Sequence, residues 1–208
     1  MWGDSMKIIG LTGTTGAGKG EVGHIFASLG AVVCDTDAIY HRLLAESAAL
    51  RRELVDAFGD ITDADGNIDR KKLAPIVFAD PEKLAALNRI THRYVLEETS
   101  RILADAAENG VKVGVIDAPM LFESGADRMC DVVVGVTAPA DVRLARIMVR
   151  DGISEDAARK RIENQHTDAW FRETCGKIIV NDTDTEALRQ NAERVYKEIT
   201  VNDRKEIY

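Results

Sequence analysis

The chain has 208 residues, enough for one domain with a sizeable core or one domain with a small lobe. It is 45% apolar and 30% charged, as ordinary globular proteins are, and 27 Lys and Arg against 35 Asp and Glu leave a formal net charge of −8. A chain this acidic is a poor general binder of nucleic acid or membrane surfaces, so an anionic ligand needs a local positive patch.

In chain order, KIIGL (7–11) reads as a short buried strand running into a glycine loop, and 19–29 as a helix stopped by Gly30. AVVC (31–34) predicts a second strand, with Asp35, Thr36 and Asp37 at its carboxyl end. The stretch 37–110 holds no convincing parallel strand and reads as a helical lobe. Its long last helix is opened by Asp80-Pro81, a cap residue before a first-turn proline, and runs to about Asn109-Gly110. Further strands are predicted at Val111 to Ile116, Val132 to Val136 and Lys177 to Val180. Pro139 and Ser154 each open a helix, and Thr183-x-x-Glu186 fits a capping box for the last one. Strand and helix alternating in this way predict an α/β fold, a five-stranded parallel sheet with helices on both faces.

The loop itself, GLTGTTGAGKGEV (10–22), is the strongest signal. Between a buried strand and a helix it aims backbone N–H groups at one point, and glycines let the chain approach phosphate oxygens closely. Lys19 adds a full positive charge for the outer phosphates. The residue after the lysine is unusual: Gly20 supplies no hydroxyl to Mg²⁺, a gap that water can fill because Mg²⁺ keeps several waters. A carboxylate at Glu21 about 6 Å from phosphate charge would cost roughly 2–3 kcal/mol per charge at an effective dielectric near 20. It is therefore expected to point away and serve the helix dipole, the alternative being that it is held near the metal.

Ligands collect beyond the carboxyl ends of strands in open parallel sheets. Asp35, Asp37 and Asp117 stand there, as acids that hold Mg²⁺ or orient an attacking hydroxyl; Asp37 reads equally as a helix cap, and Asp117 also as a turn acid. Arg143, Arg146 and Arg150 are spaced along one helix face, with Arg159 and Arg161 beyond. The set reads as a phosphate grip, or else as a solvated face paired with Asp151, Glu155 and Asp156. His24, His41, His92 and His166 show no metal spacing; His41 and His92 are candidates to reach a ligand. Cys34, Cys130 and Cys175 lack CxxC spacing and read as buried free thiols of a reducing compartment. No apolar run suits a signal peptide or approaches about 18 residues, so a cytoplasmic protein is expected.

Six stretches in order, over roughly residues 7 to 182, resemble the dephospho-CoA kinase family: GLTGTTGAGKG; LGAVVCDTDAIYHRLL; FGDITDADGNIDRKKLAPIVFADPEKLAALNRITH, with Gly66, Asp69, Arg70 and His92; DAPMLFESG; RIMVRDGISEDAARKRIENQ, with Arg150-Asp151 and Gln165; and KIIVNDT, with Asn181. The resemblance implies a P-loop kinase fold with a core at about 6–36, 111–140 and 176–202, a helical substrate lobe at about 37–110 and a lid at about 141–175. It implies ATP and Mg²⁺, and transfer of the γ-phosphoryl to the ribose 3′-hydroxyl of dephospho-CoA. By position, Gly13, Thr14, Thr15, Gly16, Ala17, Gly18, Lys19, Gly20 and Glu21 hold ATP, with Asn181 near its adenine. Lys19, Asp35 and Arg150 are the implied catalytic residues, Asp35 also meeting the metal, directly or through water. Asp37, His41, Arg70, His92 and Asp117 are implied on the acceptor side.

Two departures stand out. Gly20-Glu21 replaces the family's usual Ser/Thr-Thr, and Arg93 stands where a proline usually follows the histidine. A kinase acting on another nucleotide-like acceptor, or a nucleotide-binding regulator with little turnover, are the alternative readings. A GTPase is set aside because no NKxD-like motif occurs. A monomer or weak homo-oligomer is expected, with small-molecule partners, no nucleic acid and no membrane.

Overall fold

The computed structural model describes residues 6–201; the expected core limit at Asn202 lies outside the described residues. The chain forms two compact units: one holds the described residues up to Cys34 and those from Asp105 onward, the other Asp35–Ala104.

The first unit is built on five strands: β1 (Lys7–Gly13), β2 (Val32–Asp35), β3 (Val113–Asp117), β4 (Val132–Thr137) and β5 (Lys177–Val180). They lie in the order β2-β3-β1-β4-β5. Leu11 pairs with Asp117, Gly13 with Val136, and Thr137 with Val180, all in parallel register. The carboxyl ends of β1, β3, β4 and β5 therefore meet along one edge of the sheet. Apolar runs such as KIIGL and VVVGV give strands buried on both faces, as a parallel sheet demands.

One face is covered by α1 (Lys19–Ser28) and α9 (Thr185–Val201). Ile25 and Phe26 of α1 pack with Leu188, Ala192, Val195 and Ile199 of α9 against Ile9, Leu11 and Val134. The Phe26 and Tyr196 rings lie 5.3 Å apart. Each such side chain contributes about 1.5–3 kcal/mol by leaving water. On the other face Leu121 and Cys130 lie over Gly10, and Cys175 over Gly135. Burial pushes the Cys130 thiol up to about 12 and the Cys175 thiol to about 11. All three cysteines are free thiols, Cys34 and Cys175 buried and Cys130 half-buried.

Between β4 and β5 run α6 (Ala140–Asp151), α7 (Glu155–Glu163) and α8 (Asp168–Thr174). Ser154 caps α7 by accepting from the Ala157 amide, and Thr167 caps α8 by accepting from the Trp170 amide.

The second unit holds α2 (Thr36–Glu46), α3 (Ala48–Phe58), α4 (Arg70–Phe78) and most of α5 (Pro81–Glu108), which ends in the first unit. Its core is Leu44, Leu50, Leu54, Ile61, Leu73 and Val77. Its one β feature among the described residues is an antiparallel bridge, Thr62 to Ile68. Arg93 sits within α5, where it donates to Glu53 Oε2 of α3 at 2.5 Å and lies 4.7 Å over the Tyr94 ring. No described helix is long and apolar enough to cross a membrane.

Two sequence expectations shift. The last helix is capped by Asp184, whose Oδ1 accepts from the Ala187 amide, and not by Thr183; aspartate is the stronger cap. Strand β3 starts at Val113 because the Gly110 and Val111 amides turn back to Ala107 and Ala106 and close α5.

Candidate active site

The glycine loop links β1 to α1 at the sheet edge. The Thr14 amide donates to Val136 O at 3.1 Å, fixing the loop against the end of β4. Gly13 passes so close to β4 that a Cβ there would run into the Val136 carbonyl. Gly18 takes φ +94° as the N-cap of α1, and a Cβ would come within 2.5 Å of Asn181 Nδ2. No side chain caps this helix. Its first amides and the positive end of its dipole thus stay open as a cradle, and the loop holds this path only because residues 13 and 18 carry no Cβ to strike Val136 or Asn181. Such a surface fits a chain of phosphates.

Lys19 Nζ donates to Asp117 Oδ1 at the tip of β3, where Asp117 is buried. A lysine and a carboxylate thus stand together beside the cradle. Gly20 faces open space, with nothing within 4 Å of where a Cβ would lie. That leaves room for the water that would replace a hydroxyl on Mg²⁺. Among the described residues no group of three or more His, Cys, Asp or Glu is placed to hold a metal ion by itself. The fit for Mg²⁺ is therefore that of an ion held by few protein oxygens and by phosphate. Glu21 is half-exposed, its carboxylate 4.0 Å from His24 Nδ1.

Asn181, just past β5, locks the back of the loop. Its amide donates to Thr137 O at 2.8 Å and its Nδ2 to Ala17 O at 2.8 Å. Its Oδ1 accepts from Arg146 at 3.3 Å, and Arg146 also donates to Gly16 O at 3.4 Å. Gly18, Glu21, Arg146, Asn181, Thr185 and Leu188 line a cavity of about 380 Å³ beside the loop. Its place next to the phosphate cradle suits a base attached to the phosphates.

The arginines do not act as one set. Arg143 is buried; its Nε donates to Ala138 O at 2.9 Å and a terminal nitrogen lies 3.5 Å from Asp168 Oδ1. It braces α6 and α8 and is no part of a phosphate grip. Helical spacing put it beside Arg150, but the face at 143 turns into the protein. Arg150 pairs with Asp151 through two hydrogen bonds at 2.7 and 2.9 Å, which hold the Asp151 carboxyl below its usual range. Arg161 meets the same carboxylate, and Arg159 pairs with Glu155.

Gln165 was legible only as part of a family stretch. Its Oε1 accepts from the Thr15 amide at 2.8 Å. Next to it, the His166 ring stacks on Trp170 at 3.7 Å and meets Glu123 Oε1 at 3.2 Å.

In the second unit, Asp35 ends β2 and caps α2, its Oδ1 accepting from the Asp37 and Ala38 amides at 2.9 and 3.0 Å. The cap is thus Asp35, and Asp37 lies in the first turn. Arg70 donates to His41 Nδ1 at 2.8 Å and sits 5.9 Å from the Tyr40 ring centre. Burial raises the Tyr40 pKa against the pull of Arg70. His92 lies on α5.

The model of the dephospho-CoA kinase family matches residues 7–187. The chain belongs to the dephospho-CoA kinase family. A dephospho-CoA kinase of Corynebacterium efficiens is 38% identical over 195 residues, covering 93% of this chain and 98% of that protein. Two solved structures agree in fold over nearly their whole length. One, TT1252 from Thermus thermophilus, has a TM-score of 0.78 at 30% identity, covering 95% of this chain and 100% of that one. The other, a dephospho-CoA kinase from Campylobacter jejuni, has a TM-score of 0.69 at 26% identity, covering 94% and 98%. The five-stranded α/β architecture expected from the sequence is thus that of a P-loop kinase.

Proposed function

We propose that this protein carries out its family's reaction, ATP-dependent phosphorylation of the ribose 3′-hydroxyl of dephospho-CoA, giving coenzyme A and ADP. The observation that carries the proposal is the uncapped, glycine-gated start of α1 with Lys19 beside it, in a chain of this family.

Within the loop 13–21, the amides of Gly16, Gly18, Lys19 and Gly20 bind the phosphates of ATP, and Lys19 leaves Asp117 to neutralise the transferring group. Asn181 and Arg146 border the adenine. Asp35 orients the acceptor hydroxyl and takes its proton as the new O–P bond forms and the bond to ADP breaks. Mg²⁺, when bound, screens the phosphate charge; Asp35 would reach it through water, and the space at Gly20 admits a further water. Arg150 exchanges Asp151 for phosphate when the lid, about 141–175, closes. Asp37, His41, Arg70, His92 and Asp117 serve the acceptor, the first four from the helical substrate lobe at about 37–110. The enzyme works in the cytoplasm as a monomer or weak homo-oligomer.

The test is purified protein with ATP and Mg²⁺ against dephospho-CoA and a panel of nucleotides and nucleosides. ADP and coenzyme A formed together only with dephospho-CoA would support the assignment. ADP formed with another acceptor and none with dephospho-CoA would refute it.

A further inference from the structure

The phosphate loop carries one side chain from elsewhere in the chain on its outer amides: Gln165, whose Oε1 accepts from Thr15 N–H at 2.8 Å. Gln165 belongs to the exposed segment between α7 and α8, 150 positions away in sequence. The segment is held on both sides. Its next residue, His166, meets Glu123 at 3.2 Å and stacks on Trp170 at 3.7 Å, with the two rings only 11° from parallel. Trp170 in turn meets Phe122 edge to face at 5.1 Å. The carboxamide is thus presented to the loop by an anchored segment.

A neutral carbonyl on that amide is a weaker acceptor than a phosphate oxygen, whose charge-assisted hydrogen bond is roughly twice as strong. The amides at the start of α1 cradle the inner phosphates. Thr15 lies earlier in the loop, outside that helix start. We propose that Gln165 is a positioning residue that occupies the Thr15 amide before nucleotide arrives and is displaced by the terminal phosphate of a nucleoside triphosphate, so that its carboxamide leaves the loop with ATP, shifting the adjoining His166–Trp170 stack, and stays on the loop with ADP. The proposal rests on the loop being the phosphate site. It makes Gln165 a determinant of how the site distinguishes triphosphate from diphosphate.

Trp170 reports on the segment directly. In a Trp2→Phe background its fluorescence is expected to shift on addition of ATP and to stay near its starting value with ADP. Gln165→Ala removes the competitor. It should tighten ATP about threefold to tenfold, the worth of one net hydrogen bond, and change ADP less than twofold. Its KM for ATP should fall with the same trend, and its Trp170 emission should lie near the ATP-bound value before any nucleotide is added. Gln165→Glu keeps an acceptor on Thr15 and adds charge, so it should weaken ATP more than ADP. Calorimetry on the wild-type protein separates the two levels of the claim. No binding of either nucleotide would overturn the loop assignment itself. Tight binding of both, with equal Trp170 responses or with Gln165→Ala no tighter for ATP than for ADP, would leave the loop assignment standing and overturn the role of Gln165.

Discussion

The glycine loop and the arginine-bearing helices α6 and α7 both read from the sequence as phosphate grips, yet they are built on opposite principles. The loop's properties come from its backbone: Gly13 and Gly18 sit where a Cβ would strike Val136 and Asn181, and the amides that remain face outward. The arginines' properties come from side chains whose partners are set by tertiary packing. Three residues on one nominal helix face have three fates. Arg143 is buried against Ala138 and Asp168, Arg146 braces Gly16 and Asn181, and Arg150 is exposed and paired with Asp151. A site made of backbone is specified by a dozen consecutive residues; one made of long charged side chains is not.

The contrast can be broken by mutation. Lys19→Ala should lower kcat about 10²- to 10³-fold with the fold intact, since electrostatic stabilisation dominates phosphoryl transfer. Near-normal turnover in single-turnover assays would contradict the role given to the loop. Arg143→Ala should destabilise by about 2 kcal/mol, because it removes a buried charged donor, while Arg159→Ala at its exposed pair should change stability by about 0.5 kcal/mol or less. Denaturant midpoints for the two variants give the ranking; equal values would erase the distinction drawn between them.

A third comparison lies in the second unit. Glu98 accepts from Arg101 and Arg42, and these bonds hold its carboxyl down to about 2. Its folded pKa is below the ordinary 4.5, so its contribution is complete above about 4.5 and lost as pH falls toward about 2. Glu98→Gln should therefore lower the Tm at pH 7, and the gap should close across that window. A gap independent of pH would mean that packing, not charge, is at work. The smallest effect is expected at Gly20. Open space there accepts a hydroxyl, so Gly20→Ser should tighten the apparent Mg²⁺ requirement a few-fold, read from activity against metal concentration. An unchanged requirement would move the ion away from residue 20.

Much of the fold was legible for the same reason that the loop was. Strand β5 falls on Lys177–Val180 as expected, because a short apolar run between turns has few alternatives. Helix α8, Asp168–Thr174, was not foreseen: at seven residues it is too short to show a period. Thr183 lost the last cap to Asp184 by one position, the usual margin at helix ends. In the site, the loop and the acids at the strand tips could be read from spacing. That Lys19 meets Asp117, that Asn181 supports Ala17, and that Gln165 reaches Thr15 could not, since each joins residues about 100 positions or more apart.

The central claim is that main-chain amides at the start of α1 hold the nucleotide's phosphates. An amide-resolved NMR titration with ADP tests it most directly. The Gly18, Lys19 and Gly20 amides should shift strongly and saturate together with binding. ADP binding measured in the same sample with those three signals unmoved would contradict it.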